Sequence, residues 1–511
     1  MLDVAQLSDL ETAKQVAQLL EFENKRLHAR LSELTKTLAE LRGENGPEQL
    51  ALELTRLREQ VDRMQHRLFG AKSEKRASGT RRRDGDEAQE QASTQQRGHG
   101  PASQPHVPIV ERTETLDENE RACDSCGGHL QEWKGQYESS DVITVIRRSF
   151  VIERQKRQKY RCRCHANIVC APAPQRLLPG GRYSLEFAVE VAIDKYVHHI
   201  PLHRQVARMR SEGLIVTTQT LFDQLYVIQA LLSDCYDLLG DRVLNGGLVH
   251  IDETPWRLLV HPSQRWYIWC ITGHDAVYYW IRPSRSSRMA AEMLGEYDGI
   301  VIADGYSVYS SLAKAPGSSF TLAFCWAHVR RKFIEAERSY PQCSTALEYI
   351  SELYKVERSV PDPWRLDEGA AREDAFRLRA QARDRHSRPL IAKLHDWALA
   401  QRGLPQSSLR LATDYMLRLW PGLIRFLDDP RIPLDNNPVE RQLRGPIVGR
   451  KNHLGSRSVR GIRVTEVLYT LAHSAMLAGI DPRSYLLAAA QRALDEPGAV
   501  LLPHEMLTRD S

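Results

Sequence analysis

The chain has 511 residues and a formal net charge of +5. That length calls for several domains, each burying its own core, and the overall charge by itself selects no class of partner. The start, "MLDVAQLSDLETAKQ", lacks a basic region followed by an apolar one, and no apolar run approaches the roughly 20 residues of a membrane helix, so neither a signal peptide nor a membrane span is expected.

Residues 1–69 read as a leucine-zipper coiled coil. Leu20, Leu27, Leu34 and Leu41 recur every seven residues, with Ala17, Asn24, Leu31 and Leu38 as the second seam. Leucine at one seam and a lone Asn24 at the other favour a parallel two-stranded assembly, so a homodimer is expected. "GENGP" (Gly43 to Pro47) breaks the helix. The seam resumes from Leu50 to Leu68 in a shifted register. Residues 70–110 are poor in apolar residues and rich in Arg, Gln, Ser, Gly and acid, the composition of a disordered linker.

Residues 111–175 form an expected zinc-binding region. Nine cysteines occur in the chain, four of them between Cys123 and Cys164. Without an export signal, such a cluster points to metal before disulfides, and to the cytoplasm. Cys123 and Cys126 have the spacing that lets two thiolates share one ion, with Gly127 and Gly128 supplying the turn. The second pair is either Cys162 with Cys164 or Cys162 with His165; unrelated reduced thiols are the plainer reading. Cys170 reads as a bystander. A basic β-ribbon lies between, since from Arg147 to Arg163 the only acid is Glu153.

Residues 182–240 are helical. Leu185 to Val197 and Leu202 to Arg210 are two helices, "SEGLIV" turns at Gly213, and Thr217 or Thr218 caps a third. This suits a helix-turn-helix, although a plain helical connector has the same pattern. From residue 245 to 475 the expected core begins with three antiparallel strands, "GLVHIDETPWRLL", "RWYIWCITG" and "AVYYWIRP". A helix, a buried strand "GIVIADGY" and a strand running into a helix, "FTLAFCWAHVRRKF", follow. This is a mixed α/β sheet with helices on its faces, within a multidomain α+β chain. Residues 339–430 read as a helical insertion and 476–511 as a C-terminal tail, the last helices starting near Val464.

Three acids draw interest. Asp252 and Asp304 each end an apolar strand, where a lone charge is costly unless it is paired or holds metal. Two such carboxylates side by side need a cation or a shared proton. Glu440 opens a later helix, "DNNPVERQLR". It also fits a capping box, with Asn437 as cap and Pro438 in the first turn. Three carboxylates together would hold two divalent ions for phosphoryl transfer, with Arg441 and Arg444 placed for phosphates. From Arg441 to Arg463 there is no acid, while Arg450 and Lys451 add to the positive run.

"HIDETPW", "ADGYSVY", "CWAHVRRKF" and "DNNPVERQLRGPIVGRKN" closely resemble the motifs of the insertion-sequence-66 family of bacterial transposases. The resemblance extends to the zipper, to "LFGAKSEK" (Leu68 to Lys75), to the cysteine region and to the C-terminal tail. It implies a DDE enzyme with a ribonuclease-H-like core whose metal-binding triad is Asp252, Asp304 and Glu440. Two Mg2+ or Mn2+ ions would act there, with a structural Zn2+ elsewhere. It implies cutting and joining of DNA at terminal inverted repeats, with target DNA as second substrate and small accessory proteins as possible partners. The zinc region departs from the family pattern: His165 stands where a fourth cysteine is usual, with Cys164 one place early. Asp435, in an Asx turn, and Glu253 and Asp275 read as structural acids. His328 has two readings, a structural helix residue or one facing the site, and Arg330 and Arg331 beside it are DNA-contact candidates. The competing functions are a catalytically silent DNA-binding regulator derived from a transposase and a non-mobile nuclease. The implied location is the bacterial cytoplasm, in association with the nucleoid.

Overall fold

The computed structural model describes residues 149–507 except 162–167, 173–174, 179, 367, 402 and 404, with residues 109, 111, 113 and 129 in isolation. The zipper, nearly all of the linker, and Cys123, Cys126, Cys162, Cys164 and His165 lie outside the described residues. The chain divides into two compact units, residues 1–70 with 150–511 and residues 71–149, and the elements below belong to the first.

A short antiparallel hairpin comes first, β1 (Lys159–Arg161) with β2 (Ile168–Cys170), pairing Lys159 with Cys170. Four helices follow: α1 (Leu185–Tyr196), α2 (Leu202–Ser211), α3 (Thr218–Leu231) and α4 (Ser233–Leu244). Their starts have local causes. Ser184 Oγ accepts from Phe187 N at 3.3 Å, and Thr217 Oγ1 accepts from Thr220 N at 3.1 Å, each meeting an otherwise unpaired first-turn donor. Gly213 takes φ +91° in the turn between α2 and α3, a conformation cheap only for glycine. Buried Gln205 fixes the α1–α2 corner by donating to Val191 O at 3.3 Å and Ile200 O at 3.0 Å.

The central sheet holds β3 (Leu248–Trp256), β4 (Trp266–Thr272), β5 (Val277–Arg282), β6 (Ile300–Ala303) and β7 (Thr321–Phe324), in the order β5-β4-β3-β6-β7. β3, β4 and β5 are antiparallel neighbours, while β6 runs parallel to both β3 and β7. β6 is apolar and buried at every position, as a strand covered on both faces must be. Helices α5 (Ser287–Leu294) and α6 (Ser307–Leu312) flank β6 in the chain, and α7 (Trp326–Glu337) follows β7. The mixed α/β sheet expected from the apolar runs is present.

The insertion is helical: α8 (Cys343–Arg358), a 3-10 turn (Pro363–Arg365), α9 (Ala370–Ala382), a π turn (Arg383–Ser387), α10 (Arg388–Ala400) and α11 (Ser408–Leu423). Arg383 pins it. This side chain is fully buried and binds both oxygens of Glu357 at 2.8 Å, with further bonds to the carbonyls of Phe426, Asp429 and Ile432. Every donor set of the guanidinium thus has an acceptor, which is the condition for burying a charge.

Three main helices complete the chain: α12 (Asn437–His453), α13 (Val459–Leu477) and α14 (Pro482–Asp495), with a last turn α15 (Pro503–Leu507). α13 starts five residues before the expected Val464, because Ser458 caps it by accepting from Gly461 N at 3.2 Å. α12 lies close to α13 through two glycines. A Cβ on Gly445 would sit 2.4 Å from the His473 ring, and one on Gly449 would sit 2.1 Å from the Tyr469 hydroxyl.

α13 also closes one edge of the sheet. Edge strand β5 points every second N–H outward. Val277 N donates to Ser474 Oγ at 3.0 Å, Tyr279 N to Thr470 Oγ1 at 3.0 Å, and Ile281 N to Glu466 Oε1 at 2.6 Å. Helix residues four apart advance about 6 Å and strand residues two apart about 6.7 Å, so the two sets keep step. Side chains of a helix thereby stand in for a sixth strand.

Candidate active site

Asp252 lies within β3, not at its end, since the strand runs on to Trp256. What ends near Asp252 is the parallel ladder with β6, which pairs Leu248 with Ile300 and His250 with Ile302. Carried on by two residues, that register sets Asp252 level with Asp304, the residue directly after β6. Each carboxylate has one local backbone donor: Glu253 N to Asp252 Oδ1 at 2.8 Å, and Tyr306 N to Asp304 Oδ1 at 2.9 Å.

Burial, then the charges of Asp304, Glu253 and Glu440, push the Asp252 carboxyl up to about 8, against the pull of the Glu253 N–H. Asp304 and Glu440, both remote from Asp252 in sequence, are thus near enough for their charges to bear on it. Among the described residues, no three His, Cys, Asp or Glu side chains already form a group that could hold a metal ion.

Glu440 sits in the first turn of α12, whose cap is Asn436 rather than Asn437. The capping-box reading fails on two counts. Glu440 is four residues after the cap, and the cap's own N–H is taken by Cys325 Sγ at 3.1 Å. The Glu440 Oε1 atom is buried with no hydrogen-bond partner, and the His328 ring faces it, with Nε2 at 3.7 Å. His328 thus faces the candidate site from α7.

Two residues that the sequence reading passed over hold this arrangement. Asn436 is fully buried. Its Nδ2 donates to Ile251 O at 2.9 Å, and its Oδ1 lies 3.0 Å from His250 Nδ1. With Nδ2 committed to the carbonyl, Oδ1 accepts, so His250 carries its proton on Nδ1. Burial lowers the His250 pKa to about 4, which keeps the ring neutral. A second link, Trp326 N to Leu434 O at 2.8 Å, ties the segment before α12 to the start of α7. The signal was a polar residue inside the apolar run "LVHID", which requires a buried partner.

The other acids have different settings. Glu253 points to the opposite face of the sheet, where Tyr309 OH donates to it at 2.8 Å. Burial pushes its carboxyl up to about 7, with Tyr309 opposing and Asp304 adding. Asp435 Oδ1 accepts from Asn437 N at 3.1 Å, the expected Asx turn. Asp275 pairs with Arg242, whose Nε lies at 3.0 Å. Among the basic residues, Arg441, Arg444 and Lys451 are exposed on α12, and Arg330 and Arg331 are half-buried on α7. Arg450 is partly engaged, donating to Thr254 Oγ1 at 3.2 Å and to Pro255 O.

Comparison with known proteins supplies the class. Residues 180–464 match the model described as the Transposase IS66 family, which places the chain among DNA-processing transposases. Three proteins of Sinorhizobium fredii (strain NBRC 101917 / NGR234), each called an uncharacterized protein, are similar over most of their length. The one designated y4jD is 31% identical over 399 residues, covering 74% of this chain and 75% of its own. For y4hP the figures are 29% over 425 residues, 78% and 75%, and for y4qI 30% over 398 residues, 74% and 71%. The chain belongs to the IS66 family of transposases. Among the described residues, no helix is long and apolar enough to cross a membrane.

Proposed function

We propose that this protein cuts DNA at the 3′ ends of a mobile element and joins those ends to target DNA, with Asp252, Asp304 and Glu440 as its acid triad on a ribonuclease-H-like core. The observation that carries this reading is geometric: Asp252 lies level with Asp304 by strand register, and the Asn436 Nδ2 bond to Ile251 O ties the helix start that bears Glu440 to the strand that bears Asp252. The strand order, three antiparallel strands continuing into a parallel pair, supports the core assignment.

The donor set fits hard divalent cations. All three groups are carboxylates, the oxygen chemistry that Mg2+ and Mn2+ prefer. Glu440 Oε1 is buried without a partner, and the Asp252 proton is one a cation would displace. When bound, such ions supply Lewis-acid polarisation and charge neutralisation for phosphoryl transfer. The chain's own contribution is placement. Asp252 and Asp304 are fixed by adjacent strands, and Glu440 is fixed by the Asn436 clamp. Arg441 and Arg444 present forked donors for phosphate oxygens on the same helix. In the N-terminal segments outside the described residues, we assign the zipper to dimerisation and the cysteine region with His165 to zinc and to terminal-repeat binding.

The test is Asp252→Asn in the full chain, with Mg2+- or Mn2+-dependent nicking and joining of terminal-repeat DNA as readout. Nicking should fall by more than the roughly 10–100-fold typical of losing an outer partner of a metal ligand, with affinity for the DNA nearly unchanged. Parallel loss of binding and cutting would count against the triad. Binding without any metal-dependent cutting by the unaltered protein would favour a silent regulator, and nicking without joining a nuclease.

A further inference from the structure

We propose that the cleft between the helical insertion and the start of α12 binds the sugar–phosphate backbone of a DNA strand, making the insertion a second DNA-binding surface. This rests on the DNA-transposing reading above and adds a site to it.

The cleft has a volume of about 1030 Å³. One wall is the start of β3 and the first turn of α12; the other is the end of α8, the 3-10 turn and α9. Five arginines line it and no lysine does: Arg358, Arg365, Arg372, Arg379 and Arg441. Three acids also line it, but each is already engaged. Glu357 is held by Arg383 at 2.8 Å and Arg379 at 3.5 Å, and Asp362 by Arg379 at 3.1 Å. Asp435 closes its own turn with Asn437, and its charge is partly offset by Arg441 nearby, with no ion pair between them. Arg372 is committed to Leu366 O at 2.9 Å and Glu368 at 3.3 Å.

What remains is positive. Among the described residues, Arg358 and Arg441 form no ion pair, and the Arg365 side chain, 88% exposed, has only a 3.7 Å approach to Asp362. Three forked donors thus stand on three separate elements around one open cleft. A repeating anion satisfies all of them at once, whereas a single small anion does not. Guanidinium forks match phosphate oxygens in pairs. Arg441 directly follows Glu440, so a strand lying along the start of α12 meets the cleft and the acid site in succession. That continuity favours the DNA backbone over an acidic protein.

The experiment compares the full chain with the double variant Arg358→Ala/Arg365→Ala. A fluorescein-labelled terminal-repeat duplex is titrated over a range of salt concentrations. Each lost phosphate contact should lower the slope of log affinity against log salt by about 0.9, so a drop of nearly two is expected, with the melting temperature unchanged. Arg358→Lys/Arg365→Lys, which retains both charges, should recover most of the slope. Equal slopes for the unaltered chain and the alanine pair overturn the proposal, as does failure of the lysine pair to recover it. Loss of polyglutamate binding in the alanine pair, with duplex affinity untouched, assigns the cleft to an acidic protein and also overturns it. If the unaltered chain neither binds nor nicks the duplex, the parent reading has failed; if it does both and the slopes agree, only the cleft assignment has.

Discussion

Asn436 shows how one side chain can fix the relative placement of two candidate site acids. It joins the helix start that carries Glu440 to the strand that carries Asp252, through Ile251 O and His250. Asn436→Ala leaves those buried partners unmatched, at about 1–3 kcal/mol for each. Melting temperature should fall. The turnover number for nicking should fall as well, while the Michaelis constant for DNA stays level, the pattern of a group that positions the transition-state machinery. A variant that melts lower but turns over at the original rate would make Asn436 a purely structural residue. The acids themselves stood out in the sequence, because a carboxylate beside an apolar strand invites explanation. Their support did not, because a separation of 186 positions between His250 and Asn436 leaves no local pattern to read. The cap position was misassigned for the same reason: Asn436 and Asn437 are indistinguishable until Cys325 is seen to occupy the N–H.

At the scale of elements, the apolar runs disclosed the strands and their order of appearance, and the residues after α7 are helical as expected, since period and length are local properties. Lateral contacts were hidden. Nothing in "VTEVLYTLAHS" announces that Glu466, Thr470 and Ser474 serve an edge strand, because their four-residue spacing acquires meaning only beside β5. Arg383 was equally opaque, one arginine among many until burial singles it out. Thr470→Val keeps the shape of the side chain and removes the acceptor for Tyr279 N. An unpaired buried N–H costs about 1–3 kcal/mol, so thermal unfolding should move down by a few degrees. An unchanged midpoint would show that water or a shifted neighbour satisfies the N–H.

For the whole molecule, two sets of buried groups oppose each other in acid and base. Burial lowers His250 and His473 to about 4 and His453 to about 3. The unfolded chain takes up these protons first, so their contribution to stability is present above about 6.5 and lost as pH falls toward 4. Asp252 and Glu253, raised to about 8 and about 7, work in the other direction. They favour the fold below about 4, and that benefit is lost as pH rises through 7 to 8. Three histidines outweigh two acids below 6.5, and the acids act alone above it. Melting temperature in metal-free buffer should therefore peak near pH 6.5, and added Mg2+ should lift the alkaline limb more than the acidic one. A profile flat from pH 5 to 8 would contradict both assignments. The helix laid along β5 has a further consequence, during synthesis. Until residues 466–474 have left the ribosome, the nascent chain carries an open ladder of amide donors. A chain that stops ahead of that segment thus leaves the three β5 N–H groups without those acceptors.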